Sequence, residues 1–479
     1  MTRRLLGPFN RVEGDLAVTL DFTDGKVSRA AVSAPLFRGF ERMLVGREPL
    51  DALAIVPRIC GICSVSQSVA AARALAGLYG IRPPADGQRV INLIHAVENV
   101  ADHLSHFYLF FLPDFARADY ADRPWFAEAE RRFKAQQGAA TAPMLEARAV
   151  LMRFMGTLAG HWPHTLALQP GGVTRVIQAA ERVRLQQWLR AFRRFLETHT
   201  FGDSLEAVAA IDSERALQDY RSRRPGADLA LFLDIADDLA LSALGRAQDR
   251  FIAAEAYPDE QGCWSPAGLW RNGATEALDI AAITEDNHSS WLAGSGAHGP
   301  GHADTVPLPD KAEAYSWSKA PRIGGQCAET GALARALMRG EPLLQEMTAR
   351  QGGTVLTRVL ARVTEIARLV PLMESWLTAL DLEAVLLAPT PGTIVAQEAV
   401  GLTEAARGML GHWVLVENER ISRYQIIAPT TWNFSPRDSA GQAGPLELAL
   451  EGVKADDPQA LQVQHIVRSF DPCQVCTTH

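Results

Sequence analysis

Two thiol pairs with the same spacing stand far apart in the chain: Cys60 and Cys63 in "RICGICSVSQS" (58–68), Cys473 and Cys476 in "SFDPCQVCTTH" (469–479). Six cysteines in 479 residues are too few for a disulfide scaffold. Cys-x-x-Cys pairs point first to metal or redox chemistry. Three readings follow from spacing. A structural zinc module folds locally, with about 15–20 residues between its pairs, yet 410 positions separate Cys63 from Cys473. A thiolate-ligated iron–sulfur cluster is a second reading. The third is a catalytic metal centre whose ligands come from distant elements. Cys63 precedes a helical run, where the dipole and free amides favour a thiolate, and Arg58 adds positive charge. His479 follows Cys476 by three positions, so the last stretch offers three ligands and is expected to be tied down. Cys263 and Cys327 stand alone and read as small, buried, apolar residues.

Several elements must bring these groups together. "LAVTLDF", Asp24-Gly25 and "KVSRAAVS" predict a β-hairpin over residues 16–33. From about residue 50 to 280 helical periodicity dominates. A long helix over 91–112, ended by Pro113, puts His95, Asn99, Asp102 and His106 on one face. Further helices are expected at 124–136, 143–160, 175–199, 203–220, 327–349, 353–380 and 457–469. Residues 284–325, rich in Gly, His and Pro, read as a long ordered loop, with His288, His298 and His302 as loop residues. "GHWVLVENERISRYQII" predicts a second hairpin turning near 417–420. Without repeats or a clear linker, residues 1–479 are expected to form one large α+β domain, predominantly α. Long helices would be bundled at its centre, with small peripheral β-hairpins and sheets, and residues 471–479 would form a metal-binding segment within it.

Apolar residues make up 47% and charged residues 21%, ordinary for a chain with a sizeable core. A formal charge of −8 with no basic run leaves no footprint for nucleic acid or an anionic membrane. No stretch approaches the ~20 apolar residues of a membrane span, and the N-terminus lacks a signal-peptide core. The expectation is a cytoplasmic, soluble protein.

"RICGIC" with "DPCQVCTTH" resembles the two nickel-binding signatures of nickel–iron hydrogenase large subunits. "RVEGD" (11–15), "FRGFE" (37–41), "ADHLSHFY" (101–108), "PHTLALQPGGVT" (163–174), "YSWSKAPR" (315–322), "ARGMLGHW" (406–413) and "APTTWN" (428–433) resemble further family motifs, in the family's order. The resemblance implies four thiolates on nickel, Cys60 and Cys473 terminal, Cys63 and Cys476 bridging to an iron with carbon monoxide and two cyanide ligands. Soft thiolates suit late metals. Glu13 matches the glutamate that takes a proton from Cys473. Arg407 matches the arginine over the open metal position, held by Asp102 and Asp471, although Ala406 stands where proline is usual and leaves that backbone less fixed. Glu41, the main-chain carbonyl of Ile426 and His479 match a magnesium site. Pro429 and Thr430 match the stretch that hydrogen-bonds the cyanides. The four paired thiols being used, electrons must leave through an iron–sulfur small subunit.

Departures from the family pattern bear on the role. Ser64 and Gln67 follow Cys63 where threonine and histidine are usual, as in the hydrogen-sensing regulatory branch. Glutamine does not titrate near neutral pH, so the bridging sulfur gains a neutral amide neighbour. Ile62 and Phe110 stand where smaller residues are usual in the gas passage, which predicts hindered oxygen entry. Most family members carry an extension beyond the final histidine; this chain ends at His479, and none is expected to be encoded. These features favour a low-turnover hydrogen sensor acting with a signalling histidine kinase, with a dimer of heterodimers as an assembly option. The alternatives are a metabolic hydrogen-uptake enzyme and, remotely, a non-catalytic four-thiolate metal protein.

Overall fold

The computed structural model describes residues 2–302, 305–389, 392–454 and 460–477. Four helices form a closed ring at its centre: Ala85–Ser105 packs on Thr141–Leu158, that on Ala179–Phe195, that on Val355–Ala379, which returns to the first. From Val90 to Ser105 the first of these is buried on every side. A helix with no solvent-exposed face belongs at the centre of a large core, and its polar residues must then find partners inside it. It continues past Ser105 as a wider π-turn over His106–Phe111 and a tight turn over Leu112–Ala116. Pro113 offers no N–H and crowds the carbonyl four residues back, so the regular ladder gives way before it.

The helix Ser64–Tyr79 starts directly after Cys63 and ends on Gly80 in the left-handed region, at φ 63. Its alanines let a strand come close. At Gly401, on the strand Glu398–Ala405, a Cβ would lie 2.0 Å from the carbonyl oxygen of Ala70. That strand begins a three-stranded antiparallel sheet with Gly408–Glu417 and Arg420–Ile427. The hairpin expected near 417–420 turns there, on Asn418 and Glu419 at φ 50 and 61. This sheet is not peripheral, because all but the outer end of its middle strand is buried. The N-terminal sheet joins Thr2–Leu6 to the expected hairpin, Ala17–Thr23 with Lys26–Ser33, through Asp24 and Gly25, both at positive φ.

Three expectations fail in detail, one being the helix expected over 327–349, which is two, Ala332–Met338 and Pro342–Gln351. Residues 250–276 form short strands, Arg250–Ala253, Ala256–Asp259, Gly262–Ser265, Gly268–Arg271 and Ala274–Glu276, rather than helix. Runs of three or four residues are too short to set up a visible period. The helix expected over 203–220 is two, Leu205–Ala209 and Glu214–Arg223, because the Ser213 hydroxyl caps a new start at the Ala216 amide, 3.3 Å away. Among the described residues of the stretch 284–325, the regular elements are three short strands, Ile283–Asp286, Ala297–His298 and Ala320–Ile323, and a tight turn over Pro300–His302. Among the described residues no helix is long and apolar enough to cross a membrane.

Candidate metal centre

The two thiol pairs meet. The ligand atoms of Cys60, Cys63, Cys473 and Cys476 all lie within 4.8 Å of one another, and no other such group of His, Cys, Asp or Glu occurs among the described residues. Cys60 Sγ is 3.4 Å from Cys473 Sγ, Cys63 Sγ 3.3 Å from Cys476 Sγ, and Cys473 Sγ 2.9 Å from Cys476 Sγ. All four are buried and none forms a disulfide. Hydrogen bonds from Cys473, Cys476 and Cys63 hold the Cys60 thiol well below its ordinary range, while burial pushes Cys473 well above it. Four such sulfurs cannot all ionise without a cation among them. This soft donor set fits nickel and excludes magnesium or calcium. His288, His298 and His302 join no metal-ligand group among the described residues; His298 lies on the short strand Ala297–His298, bonded to the Gly296 carbonyl, and His302 in the tight turn Pro300–His302. Cys327 is buried as expected, but Cys263 is half-exposed on its strand.

Arg407 reaches the sulfurs from an unusual position. Ala406 and Arg407 are the two-residue tip of the hairpin between Glu398–Ala405 and Gly408–Glu417, and this tip points into the core. The guanidinium donates to both carboxylate oxygens of Asp102, Nη2 to Oδ1 at 3.1 Å, to Asp471 Oδ1 at 3.1 Å and to the Asp471 carbonyl at 3.0 Å. Burial raises the Asp102 carboxyl to about 7; Arg407, His106 and Arg362 hold Asp471 below its ordinary value against the same burial. The backbone at Ala406 is not loose for want of proline. Arg335 donates to the carbonyls of Ala405 (2.9 Å) and Ala406 (3.2 Å), and Arg362 to Ala406 (3.4 Å). Positive charge beside the thiols comes from Arg407; Arg58 is exposed and bonds the Ala54 carbonyl.

Glu13 is fastened to the other end of the chain. Its amide donates to the Pro472 carbonyl (3.2 Å) and its carbonyl accepts from Gln474 N (2.7 Å), a bridge alongside Cys473. Gly14 makes this approach possible: at φ +78, a Cβ there would lie 3.0 Å from Val475 N. Burial raises the Glu13 carboxyl, and the charge of Cys60 adds to that. Arg38, in "FRGFE", clamps both cysteine segments through the carbonyls of Ile59 and Val475.

Gln67, one turn after Cys63, bonds His412 Nε2 through Oε1 at 2.8 Å, and His412 Nδ1 lies 2.8 Å from the Tyr424 hydroxyl. With Oε1 as acceptor, His412 donates from Nε2 and accepts at Nδ1. The Gln67 amide nitrogen is buried with no partner among the described residues. A donor so orphaned one turn from Cys63 fits a group that brings its own acceptors. Thr430, following Pro429 at the start of the short helix Pro429–Asn433, accepts the Cys473 amide at 3.1 Å. Ile62 packs against the cluster that contains the cysteines, whereas the half-buried Phe110 is not part of that cluster and meets Arg11 through its carbonyl.

Glu41 accepts Lys319 Nζ (2.9 Å), Gln425 Nε2 (2.8 Å), the Ile426 amide (2.9 Å) and the Thr305 hydroxyl. Glu285 lies beside it, 3.9 Å from Lys319, buried with neither carboxylate oxygen bonded. Burial raises it to about 8. Two buried carboxylates facing one ammonium are a hard oxygen set that fits a divalent cation. His479 lies outside the described residues.

Residue patterns gave no warning of Arg335, of Arg38 or of Glu98, which accepts the Val65 and Ser66 amides at the start of the cysteine helix. One signal was available: Arg358, Arg362 and Glu365 recur along one face of an apolar helix, where ordinary charges would be solvated.

A family model described as nickel-dependent hydrogenase matches residues 38–131 and 141–479. The chain is 30% identical to the large subunit of the periplasmic NiFeSe hydrogenase of Desulfomicrobium baculatum, over 99% of this chain and 94% of that one. Its identity to the hydrogenase-1 large chain of Citrobacter freundii is 29%, over 100% and 95% of the two chains. The solved structure of H2-activated Dm. baculatum NiFeSe hydrogenase matches with a TM-score of 0.86 at 26% identity, covering both chains completely. Since that family model spans most of the chain and the four buried cysteine sulfurs converge on a site that suits nickel, the chain belongs to the nickel-dependent hydrogenases, as a large subunit.

Proposed function

We propose that this chain splits dihydrogen heterolytically at a nickel–iron group held by its four paired cysteines and passes the electrons to an iron–sulfur small subunit. The observation that carries this reading is the convergence of four unbridged sulfurs beside a guanidinium pinned by two carboxylates. Dihydrogen is nonpolar and a very weak acid, so its cleavage needs an electron-pair acceptor and a base. The group, nickel with an iron bearing carbon monoxide and two cyanides, supplies the acceptor when bound. Cys60 and Cys473 would be its terminal ligands, Cys63 and Cys476 its bridges. Arg407, fixed by Asp102 and Asp471, keeps a polar group where charge develops without reorganisation. Glu13, raised by burial and partly exposed, takes the proton from the Cys473 sulfur and releases it outward. Pro429 and Thr430 would face the cyanides. Glu41, the Ile426 carbonyl and His479 would hold magnesium, supported by the unbonded Glu285 nearby. Cys263 and Cys327 join no metal-ligand group among the described residues, which supports electron exit through a partner.

The named relatives support hydrogen metabolism as the physiological role. A second reading, a cytoplasmic hydrogen sensor signalling to a histidine kinase, draws on Gln67 with its His412–Tyr424 chain and on Ile62 and Phe110 as a narrowed, oxygen-resisting passage. The purified complex should contain nickel equal to the chain and show infrared bands of metal-bound carbon monoxide and cyanide. Zinc in place of nickel, or absent bands, overturns the proposal. In the same preparation, fast hydrogen-driven dye reduction supports metabolism, and slow reduction with hydrogen-dependent kinase autophosphorylation supports the sensor.

A further inference from the structure

We propose that Glu98 is a positioning residue of the metal centre: its carboxylate, rather than the sulfur of Cys63, takes the free amides at the start of the helix Ser64–Tyr79 and so sets where that helix holds Cys63. The inference rests on the reading of Cys63 as a metal ligand.

An α-helix leaves its first amides without partners, and a cysteine at the N-cap is the ordinary recipient of their charge. Cys63 occupies that N-cap and makes no side-chain cap bond. Val65 N donates instead to Glu98 Oε2 at 2.9 Å and Ser66 N to Glu98 Oε1 at 2.9 Å, while Gln67 N returns to the Cys63 carbonyl at 3.1 Å. The expectation that these amides stabilise the Cys63 thiolate is therefore corrected, and the sulfur keeps its electron density for a metal. Two more donors complete the carboxylate: Ser66 Oγ on Oε1 (3.1 Å) and Trp162 Nε1 on Oε2 (2.9 Å). Each oxygen accepts two hydrogen bonds, so the fully buried carboxylate has no free rotation left.

Glu98 also lies one turn before Asp102 on the same rigid helix, and Asp102 holds Arg407. One face of Ala85–Ser105 thus registers the cysteine helix and the guanidinium against each other. A shift at Glu98 moves Cys63 relative to Arg407 without touching either.

Glu98→Gln puts an amide NH2 against donors that need an acceptor, so the helix start must move. In the loaded complex with its small subunit, the variant should retain nickel, shift the infrared bands and nickel EPR g-values, and release nickel to a chelator about fivefold faster, the scale of a lost N-cap. Trp162→Phe removes one donor only and should give a smaller shift in the same direction; it decides the matter if Glu98→Gln accumulates no nickel. Glu447→Gln, at another buried capping carboxylate that takes Val32, Gly444 and Tyr315 and no residue of the cysteine helix, should lower stability and leave the spectra unchanged. Parental spectra in both Glu98→Gln and Trp162→Phe overturn the inference. A parent complex without nickel or infrared bands instead overturns the function on which it rests.

Discussion

Glu13 is the one acid at the centre that is neither fully buried nor salt-bridged to a fixed partner among the described contacts, and its carboxyl is raised by burial. A group meant to accept and release a proton needs that poise, whereas Asp102 and Asp471 are committed to Arg407. Glu13→Gln keeps the shape and the backbone bridge to Cys473 but removes the basic oxygen. Hydrogen–deuterium exchange should fall by at least ~100-fold, the lower end of what a positioned acid–base group contributes, with nickel content and infrared bands unchanged. Exchange at the parental rate would assign the proton to another residue. Gln67 belongs to the same scale: its type was legible as a departure from the family pattern, but the orientation of its amide is set by His412 and Tyr424, more than 340 residues away in the chain.

Among the elements, the hairpin of Glu398–Ala405 and Gly408–Glu417 does the least ordinary thing. Turns usually face water because their backbone groups need partners. Here the tip is buried, and Arg335 stands in for water: it bonds Glu365 and Glu404 as well as the carbonyls of Ala405 and Ala406. Arg335→Met would remove the guanidinium that pairs two buried carboxylates and one donor from each tip carbonyl, leaving Arg362 on Ala406. Breaking one partner of a buried ion pair costs about 3–5 kcal/mol. Denaturant unfolding of the variant should show a loss of that size, with the infrared bands displaced as Arg407 moves. A loss under ~1 kcal/mol, the value of an exposed pair, would mean that the tip is held by other contacts.

At the scale of the whole molecule, the segments 60–63 and 473–476 meet through their sulfurs across a sequence separation of 413, and a bound metal would tie the two segments together. Ligation at folded-state sulfurs stabilises the fold by mass action, about 2.7 kcal/mol at a hundredfold excess over the dissociation constant. Calorimetry should find the metal-free chain melting lower than the loaded one, and Cys476→Ser should remove most of that difference. Equal melting temperatures for loaded and metal-free chains would show that the core alone brings the cysteines together.

The amino-acid sequence by itself determined the donor chemistry, the family and the long helices, since residue type and short-range spacing express these directly. Cys-x-x-Cys twice, Glu13-Gly14, Asp102 on a helical face and Arg407 before Gly408 are all local statements. Tertiary structure alone decided which charges the core would bury and how they would be paid off by partners. Glu98 under the cysteine helix, Arg335 and Arg362 behind the hairpin tip, and Arg38 across both cysteine segments each join residues distant in the chain. The helix start at Cys63 shows why. Its sequence announces free amides, but whether a sulfur or a carboxylate receives them depends on what the next helix carries at that height, and only packing brings the two together.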